Sequence, residues 1–413
     1  MITPGFERVA EVFSAGAAKQ AHGGLAFAAT VDGAPVVDLV AGEAKPGVPW
    51  TSDTRAVVMS VTKGWSLMVL QLLHDRGLLT LDMPVVDIWP EYGAAGKEAT
   101  LVRHFVEHSG GVLGVPDVGS MVQWDGGGWD DLDTIAARLA AAPPAWEPGS
   151  RAGYHAVTFG WLVGELVRRT DGRTLGTVFR EDIAQPLGIR TAIGVPRAEQ
   201  GDIADEHTER LLETGPFPLS LITSKLPAMM RDPGTLLGQA FLGDGTQSIM
   251  DSVAGLMADP RFLEAEVPAS NGVSSAADLA RLYALLAGGG ELDGVRLISP
   301  ECMELFLRPD PTPTTDVVMS GWVTTPILKG IVRKAATVAR TVGGYEVNQL
   351  RKGKVVYGPN PLAIGNGGAG GQFAFADTAN RVSGGFVRTG LGNDNKIHND
   401  LIAALYQCVG ARS

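Results

Sequence analysis

Cysteine is nearly absent. The 413-residue chain has two, Cys302 and Cys408, far apart and outside any CxxC or Cys/His cluster. That argues against a disulfide framework and a structural zinc site, and both read as small core hydrophobes. Basic charge is short as well. Lys plus Arg number 34 against 45 Asp plus Glu, a formal charge of -11, and no basic run interrupts the acidic balance. Phosphate binding needs clustered Lys and Arg, so nucleic acid is not an expected partner. No window approaches the roughly 18 uncharged apolar residues of a membrane span. The opening MITPGFERVAEVFSAGAAKQ sets Glu7 and Glu11 inside its apolar pattern and has no basic region ahead of an apolar one. A signal peptide is therefore not expected, and the cytoplasm is the default. G-x-S-x-G is missing too, so an α/β-hydrolase elbow is not supported.

What is present is an ordinary globular composition, 45% hydrophobic and 19% charged. The length fits two or three domain-sized units, or one large enzyme domain with an inserted subdomain. Phe6, Val9, Val12 and Phe13 recur at helical spacing and predict a helix over 4–20. LAFAATVDGAPVVDLVAGEA (25–44) reads as a hairpin about Asp32-Gly33. Helices are expected over 61–77, 100–108, 131–142, 156–170, 174–184 and 274–290, with a last one over 394–408. Residues 111–130 are rich in Gly and Trp and read as a long surface loop, and 210–265 as loosely organised Met-rich helices. GWVTT, GGYEV, KVVYG, LAIGN, QFAFAD and GGFVRT are strand candidates. The order predicts an α+β fold, an antiparallel sheet built from both ends of the chain with a helical region inserted. Its expected division is 1–60 with 274–413 for the sheet domain. Residues 61–273 form the helical region, with 111–130 and 210–265 as rim insertions.

VVMSVTKGWSL (57–67) places Ser60 and Lys63 three apart at a helix start. On a helix these positions share a face, so the lysine amine reaches the serine hydroxyl. Serine is a poor nucleophile until a neighbour takes its proton, and lysine does so only with a lowered pKa. The apolar Val57, Val58, Met59, Val61, Trp65 and Leu67 supply the burial that lowers it. A helix N-terminus also gathers backbone N–H groups near an oxyanion. The competing reading is an ordinary polar helix start with a solvated lysine, and a short motif alone does not decide between them.

The rest of the sequence adds context. TSDTRAVVMSVTKGW, then LLTLDMPVVDIWPEY with TLVRHFVEHSGGV, then EPGSRAGYHAVTFGWLVGELV, NGVSSAADLARLYALLAGGGELDGVRLIS and AIGNGGAGGQFAFADTANRVSGGFV occur in that order. Together they resemble the β-lactamase-like serine hydrolases, the class C branch of the penicillin-recognising enzymes, and within it the family VIII carboxylesterases. The resemblance implies a β-lactamase/transpeptidase-like fold with an inserted helical region. It also implies Ser60 as nucleophile, Lys63 as its lysine and Tyr154 as the motif tyrosine. A tyrosine beside Lys63 is expected to lose its proton more easily and to serve as base and proton donor. The implied oxyanion hole uses the backbone N–H groups of Ser60 and Ala369.

Two departures stand out. The family's Tyr-x-Asn reads Tyr154-His155-Ala156, and its Lys-Thr-Gly reads Asn366-Gly367-Gly368. Losing the amide and the lysine weakens recognition of an anionic lactam. The resemblance therefore implies ester hydrolysis through an acyl-enzyme, with acyl transfer to an amine or alcohol as the alternative. A β-lactamase and a non-catalytic binding protein come behind both. The partner is a small ester or acyl substrate, and no cofactor or metal is implied. His155, Asn366, Gly367, Gly368, Trp124 and Trp129 are candidate substrate contacts. His155 reads equally as a helix cap, and the tryptophans, with Trp146, as packing. Met229, Met230, Leu236, Leu237 and Phe241 suit either an acyl pocket or plain core. His104-Phe-Val-Glu107-His108 matches a zinc-peptidase pattern, but no third ligand is evident and the segment already fits the serine-hydrolase template.

Overall fold

The computed structural model describes residues 1–20, 22–210, 224–311, 313–321, 336–348, 356–392 and 396–410. The hairpin forms as its turn chemistry predicts. β1 (Gly24–Val31) and β2 (Ala34–Lys45) reverse at Asp32 and Gly33, whose φ values of 51° and 78° are both left-handed. A two-residue turn of this kind matches the twist of the flanking strands. β3 (Val48–Pro49) pairs on the outer side of β2. Far along the chain come β4 (Glu346–Val347), β5 (Ile364–Gly367), β6 (Phe373–Asp377) and β7 (Val382–Arg388). They complete one seven-stranded sheet in the order β4-β5-β6-β7-β1-β2-β3. Every neighbouring pair is antiparallel.

The helices of ten residues or more are α1 (Glu7–Ala17), α2 (Thr62–Asp75), α3 (Leu132–Ala141), α4 (Thr158–Asp171), α5 (Ile249–Ala258), α6 (Ala276–Ala287) and α7 (Lys396–Gly410). Side chains alternate across a strand, and this sheet uses the alternation to sort residues by size. Leu25, Phe27, Phe373, Phe375 and Phe386 join one core with Val9 and Phe13 of α1 and Leu401 and Leu405 of α7. Ala26, Ala28, Ala374 and Ala376 face the other core, which includes Leu279 and Tyr283 of α6. The small face lets α6 lie close to the backbone. A Cβ at Gly385 on β7 would sit 2.8 Å from the Leu279 Cβ and 3.0 Å from the Ala276 carbonyl oxygen.

α2 is buried from Thr62 through Leu73 without a break, so it is the axis of the helical part and not a surface helix. Side-chain caps fix other helix starts. Asp131 accepts from Thr134 N ahead of α3, and Ser275 accepts from Asp278 N ahead of α6.

Two expectations change, and two others lie partly outside the described residues. Residues 111–130 are not a surface loop: Val112, Leu113, Val118, Met121, Val122 and Trp129 are buried. The segment doubles back on itself, so its buried residues follow neither a helical nor a strand period. In 210–265, residues 211–223 lie outside the described residues. Of the rest, Met229, Met230, Leu236 and Phe241 pack half-buried on the main core, and Leu237 is buried in it. KVVYG is no strand where it is described. The Asn348 carboxamide oxygen accepts from Val356 N and Tyr357 N, which holds a loop there instead. The strand expected at GWVTT lies outside the described residues from position 322 on.

Gly385→Ala tests the close approach of α6. The added methyl forces α6 off the sheet and is expected to cost about 1–3 kcal/mol, read from urea unfolding. Wild-type stability in that variant would show that the layer spacing has slack.

Candidate active site

Ser60 stands on a single 3-10 turn, Met59–Val61, that runs directly into α2. Met59 just before it has φ 50°, a left-handed conformation that costs a non-glycine residue energy. The turn leaves Ser60 partly exposed, while Lys63 one turn on is only 4% exposed. The Lys63 Nζ donates to Ser60 Oγ at 3.1 Å, to the Ala156 carbonyl at 2.7 Å and to the Ala269 carbonyl at 2.9 Å. Burial pulls this amine down from 10.5 to about 7, with the Glu346 carboxylate opposing the shift.

Tyr154 arrives from the segment ahead of α4. Its hydroxyl donates to Ser60 Oγ at 2.7 Å, and its ring lies 4.8 Å from the Lys63 Nζ. Asp316 anchors it from behind: Oδ1 accepts from Tyr154 N at 3.1 Å and from Val318 N and Met319 N at 2.9 Å. Burial pushes the Tyr154 phenol up, and the hydrogen bond to Ser60 offsets only part of that. The expectation that this tyrosine sheds its proton easily is therefore reversed. Burial disfavours phenolate and ammonium alike, which keeps Tyr154 neutral and makes the neutral amine of Lys63 accessible near pH 7.

The sheet edge forms the opposite wall. Asn366 and Gly367 on β5 line the cleft with Ser60, Lys63, Tyr154, His108 and Arg340. Asn366 is buried, and its carboxamide oxygen accepts from the Tyr283 hydroxyl at 3.0 Å. Gly64 on α2 leaves room for both groups, since a Cβ there would collide with each. Past Gly367 the chain turns. Gly368 N donates to the Gln372 carbonyl at 2.8 Å, and a Cβ at Gly368 would sit 2.5 Å from the Val58 carbonyl oxygen. The turn thus rests on the backbone just ahead of Ser60, with Ala369 exposed at its tip. Arg388 pins it from beneath, Nε donating to the Gly370 carbonyl at 2.5 Å.

Other candidates fall elsewhere. Trp129 is fully buried, donates to the Gln123 carbonyl and packs on Trp161 and Phe262, so it is core and no substrate contact. Trp124 donates to Asp244 Oδ2 and stands away from the Ser60 cleft. His155 is buried, with Nδ1 on the Gly153 carbonyl and its ring edge-on to Trp146, outside the cleft lining. The His104/His108 pair does not make a metal site. His104 Nδ1 accepts from Leu101 N, while His108 Nδ1 accepts from His155 N and its ring stacks on Phe159. Among the described residues no group of three His, Cys, Asp or Glu could hold a metal ion. Sequence reasoning missed Arg340 and Glu346. They are paired across an isolated antiparallel bridge, and both line the cleft. No motif marks them, and it is the pairing of β4 with β5, together with the bridge between the two residues, that brings them to the site.

A serine held between a buried lysine and a tyrosine, at a helix start beside an antiparallel sheet edge, defines the penicillin-recognising class of serine enzymes. The comparisons agree. The Beta-lactamase family model matches residues 9–407, and the chain belongs to that family. The "Esterase/beta-lactamase LipL" of Mycobacterium tuberculosis (strain ATCC 25618 / H37Rv) is 36% identical over 314 residues, 74% of this chain and 68% of that protein. A penicillin-binding protein homolog from Caulobacter crescentus matches with TM-score 0.79 and 32% identity over 99% of each chain. A family VIII carboxylesterase matches with TM-score 0.79 and 30% identity, over 99% of this chain and 98% of that one.

The lysine's burial has a pH signature. Unfolded, Lys63 holds its proton up to about 10.5; folded, only to about 7. Between those values the unfolded state binds more protons, so this group's cost is full below pH 7 and fades as pH rises. Lys63→Met removes the effect. The melting temperature of the variant minus that of the wild type should therefore fall steadily from pH 6.5 to pH 10. A difference independent of pH would mean that the amine is not desolvated.

Proposed function

We propose that this protein hydrolyses carboxylic esters through a covalent acyl-enzyme on Ser60. One observation carries the reading: Ser60 Oγ is hydrogen-bonded at once to the near-neutral Lys63 amine and to the Tyr154 hydroxyl. In the deprotonated state Lys63 accepts the serine proton as Oγ bonds to the ester carbonyl carbon. The carbonyl oxygen becomes an oxyanion and faces the backbone N–H groups of Ser60 and Ala369. As the C–O bond breaks, Tyr154 gives its proton to the departing alkoxide and regains one from Lys63. Water then attacks the acyl carbon, its proton leaves by the same relay, and the acid departs as Ser60 is reprotonated. Every group needed belongs to this chain.

Relatives support the ester over other acyl substrates. LipL is named an esterase as well as a β-lactamase, and the "Esterase EstB" of Burkholderia gladioli is 34% identical over 162 residues, 35% of this chain and 39% of that protein. Among the described residues no helix is long and apolar enough to cross a membrane. Cys302 and Cys408 are buried and unbridged, which supports a reducing compartment such as the cytoplasm.

Ser60→Ala should abolish p-nitrophenyl ester turnover and covalent labelling by a fluorophosphonate, read by intact mass, with the fold retained. Turnover surviving in that variant would remove the mechanism. Lys63→Ala and Tyr154→Phe should each lose at least ~100-fold in kcat/KM.

The pH–rate profile assigns the base. With Lys63 near 7, kcat/KM should rise with pH and level off above about 7. Because burial raises the Tyr154 phenol, no further rise should follow toward pH 10. An acid limb that stays near pH 7 in Lys63→Ala would assign the base elsewhere.

A further inference from the structure

Resting on the ester-hydrolase reading of Ser60, we propose that the substrate carries a carboxylate and that Arg340 is the residue that recognises it. Arg340 lines the same cleft as Ser60, Lys63 and Tyr154 and is 9% exposed. Arginine is almost never buried to this degree without an acidic partner. Here no carboxylate of the described residues lies within 4.0 Å of the guanidinium, and its side chain makes no hydrogen bond among them. Its influence reaches the site from close by: it lowers the basicity of both His108 and His155. A cation in a walled cleft whose donors meet no acceptor among the described residues is a binding group awaiting an anion. The planar fork of N–H donors matches a carboxylate with two parallel bonds.

The surrounding charges narrow the anion. Glu346, across the bridge from Arg340, lines the cleft as well and takes the Tyr357 hydroxyl on Oε2 at 3.4 Å. Lys63 is near-neutral when it acts as base. Among the described residues that line it, the cleft therefore offers one firm positive charge, Arg340, with one carboxylate, Glu346, close at hand. A monoanionic carboxylate is matched by Arg340 alone. A phosphate dianion would bring a second negative charge toward Glu346 with nothing to meet it. This also revises what the Asn366-Gly367-Gly368 segment suggests taken alone. The cation missing from that strand is supplied from beyond the neighbouring strand β4, so an anionic group is accommodated at a different place along the same wall.

Two matched ester pairs test the proposal. 4-Acetoxybenzoate against 4-acetoxybenzamide puts the carboxylate on the leaving group, and monomethyl adipate against methyl hexanoate puts it on the acyl group. In at least one pair the wild type should prefer the carboxylate member by about tenfold or more in kcat/KM, the scale of one charge-assisted hydrogen bond. Arg340→Gln should bring that ratio to about one, mainly through KM, and Arg340→Lys should keep it above one. As a readout without turnover, 4-hydroxybenzoate should slow fluorophosphonate labelling of Ser60 in the wild type and not in Arg340→Gln. A wild type that favours the neutral ester in both pairs overturns the proposal. So does an Arg340→Gln variant that loses equally on both members of a pair, or a wild type that 4-hydroxybenzoate does not protect. Failure of the hydrolase reading looks different: none of the four esters is cleaved and Ser60 takes no fluorophosphonate label, which removes both conclusions.

Discussion

The structure depends on one amine kept out of water. Lys63 Nζ sits inside the core, and its three hydrogen bonds come from three separate places: Ser60 Oγ on its own turn, Ala156 O from the segment after Tyr154, and Ala269 O ahead of the short strand at Val273–Ser274. A buried ammonium is costly unless its donors are met, so those two carbonyls must be in place whenever the lysine is charged. Neutral, the same lysine is the strongest available acceptor for the serine proton. The geometry that limits the cost of the charged state and the geometry that poises the neutral one are therefore the same.

The sheet's sorting by size serves this arrangement. Alanines on one face admit α6, and α6 brings Tyr283 to Asn366. Asn366 sets one wall of the cleft from β5, and the turn after it rests on the backbone of Val58 and is held by Arg388. Phenylalanines on the opposite face tie the sheet to α1 and α7. The wall that β5 contributes is thus held by packing on both faces of the sheet.

Much of this was legible in the residues. The hairpin announced itself through Asp32-Gly33, α6 through the helical run at 274–290 and β6 through the strand-like QFAFAD, because each signal is local. Ser60 and Lys63 were visible through their spacing, and Tyr154 through its neighbours in a familiar order. The failures have a common physical cause. Trp129 and the residues around Val118 pack by doubling back, which leaves no period to read. The proton preference of Tyr154 depends on burial, which a one-dimensional pattern does not carry. Arg340 and Glu346 reach the cleft only because a bridge and the strand β4 place them there, far in sequence from Ser60.

The central pairing of the sheet has a temporal side. β1 meets β7, and the bond from Gly24 N to Thr389 Oγ1 joins positions 365 apart. A growing polypeptide therefore releases α2, with its serine and lysine, long before β5 and the turn that rests on Val58 exist. Until then the nucleophile lacks one wall and the second strand half of its scaffold. Closing so distant a contact is entropically slow, and the edge of β1 that awaits β7 stands unpaired meanwhile. The cleft is thereby completed only after β5 and the strands that hold it have been made.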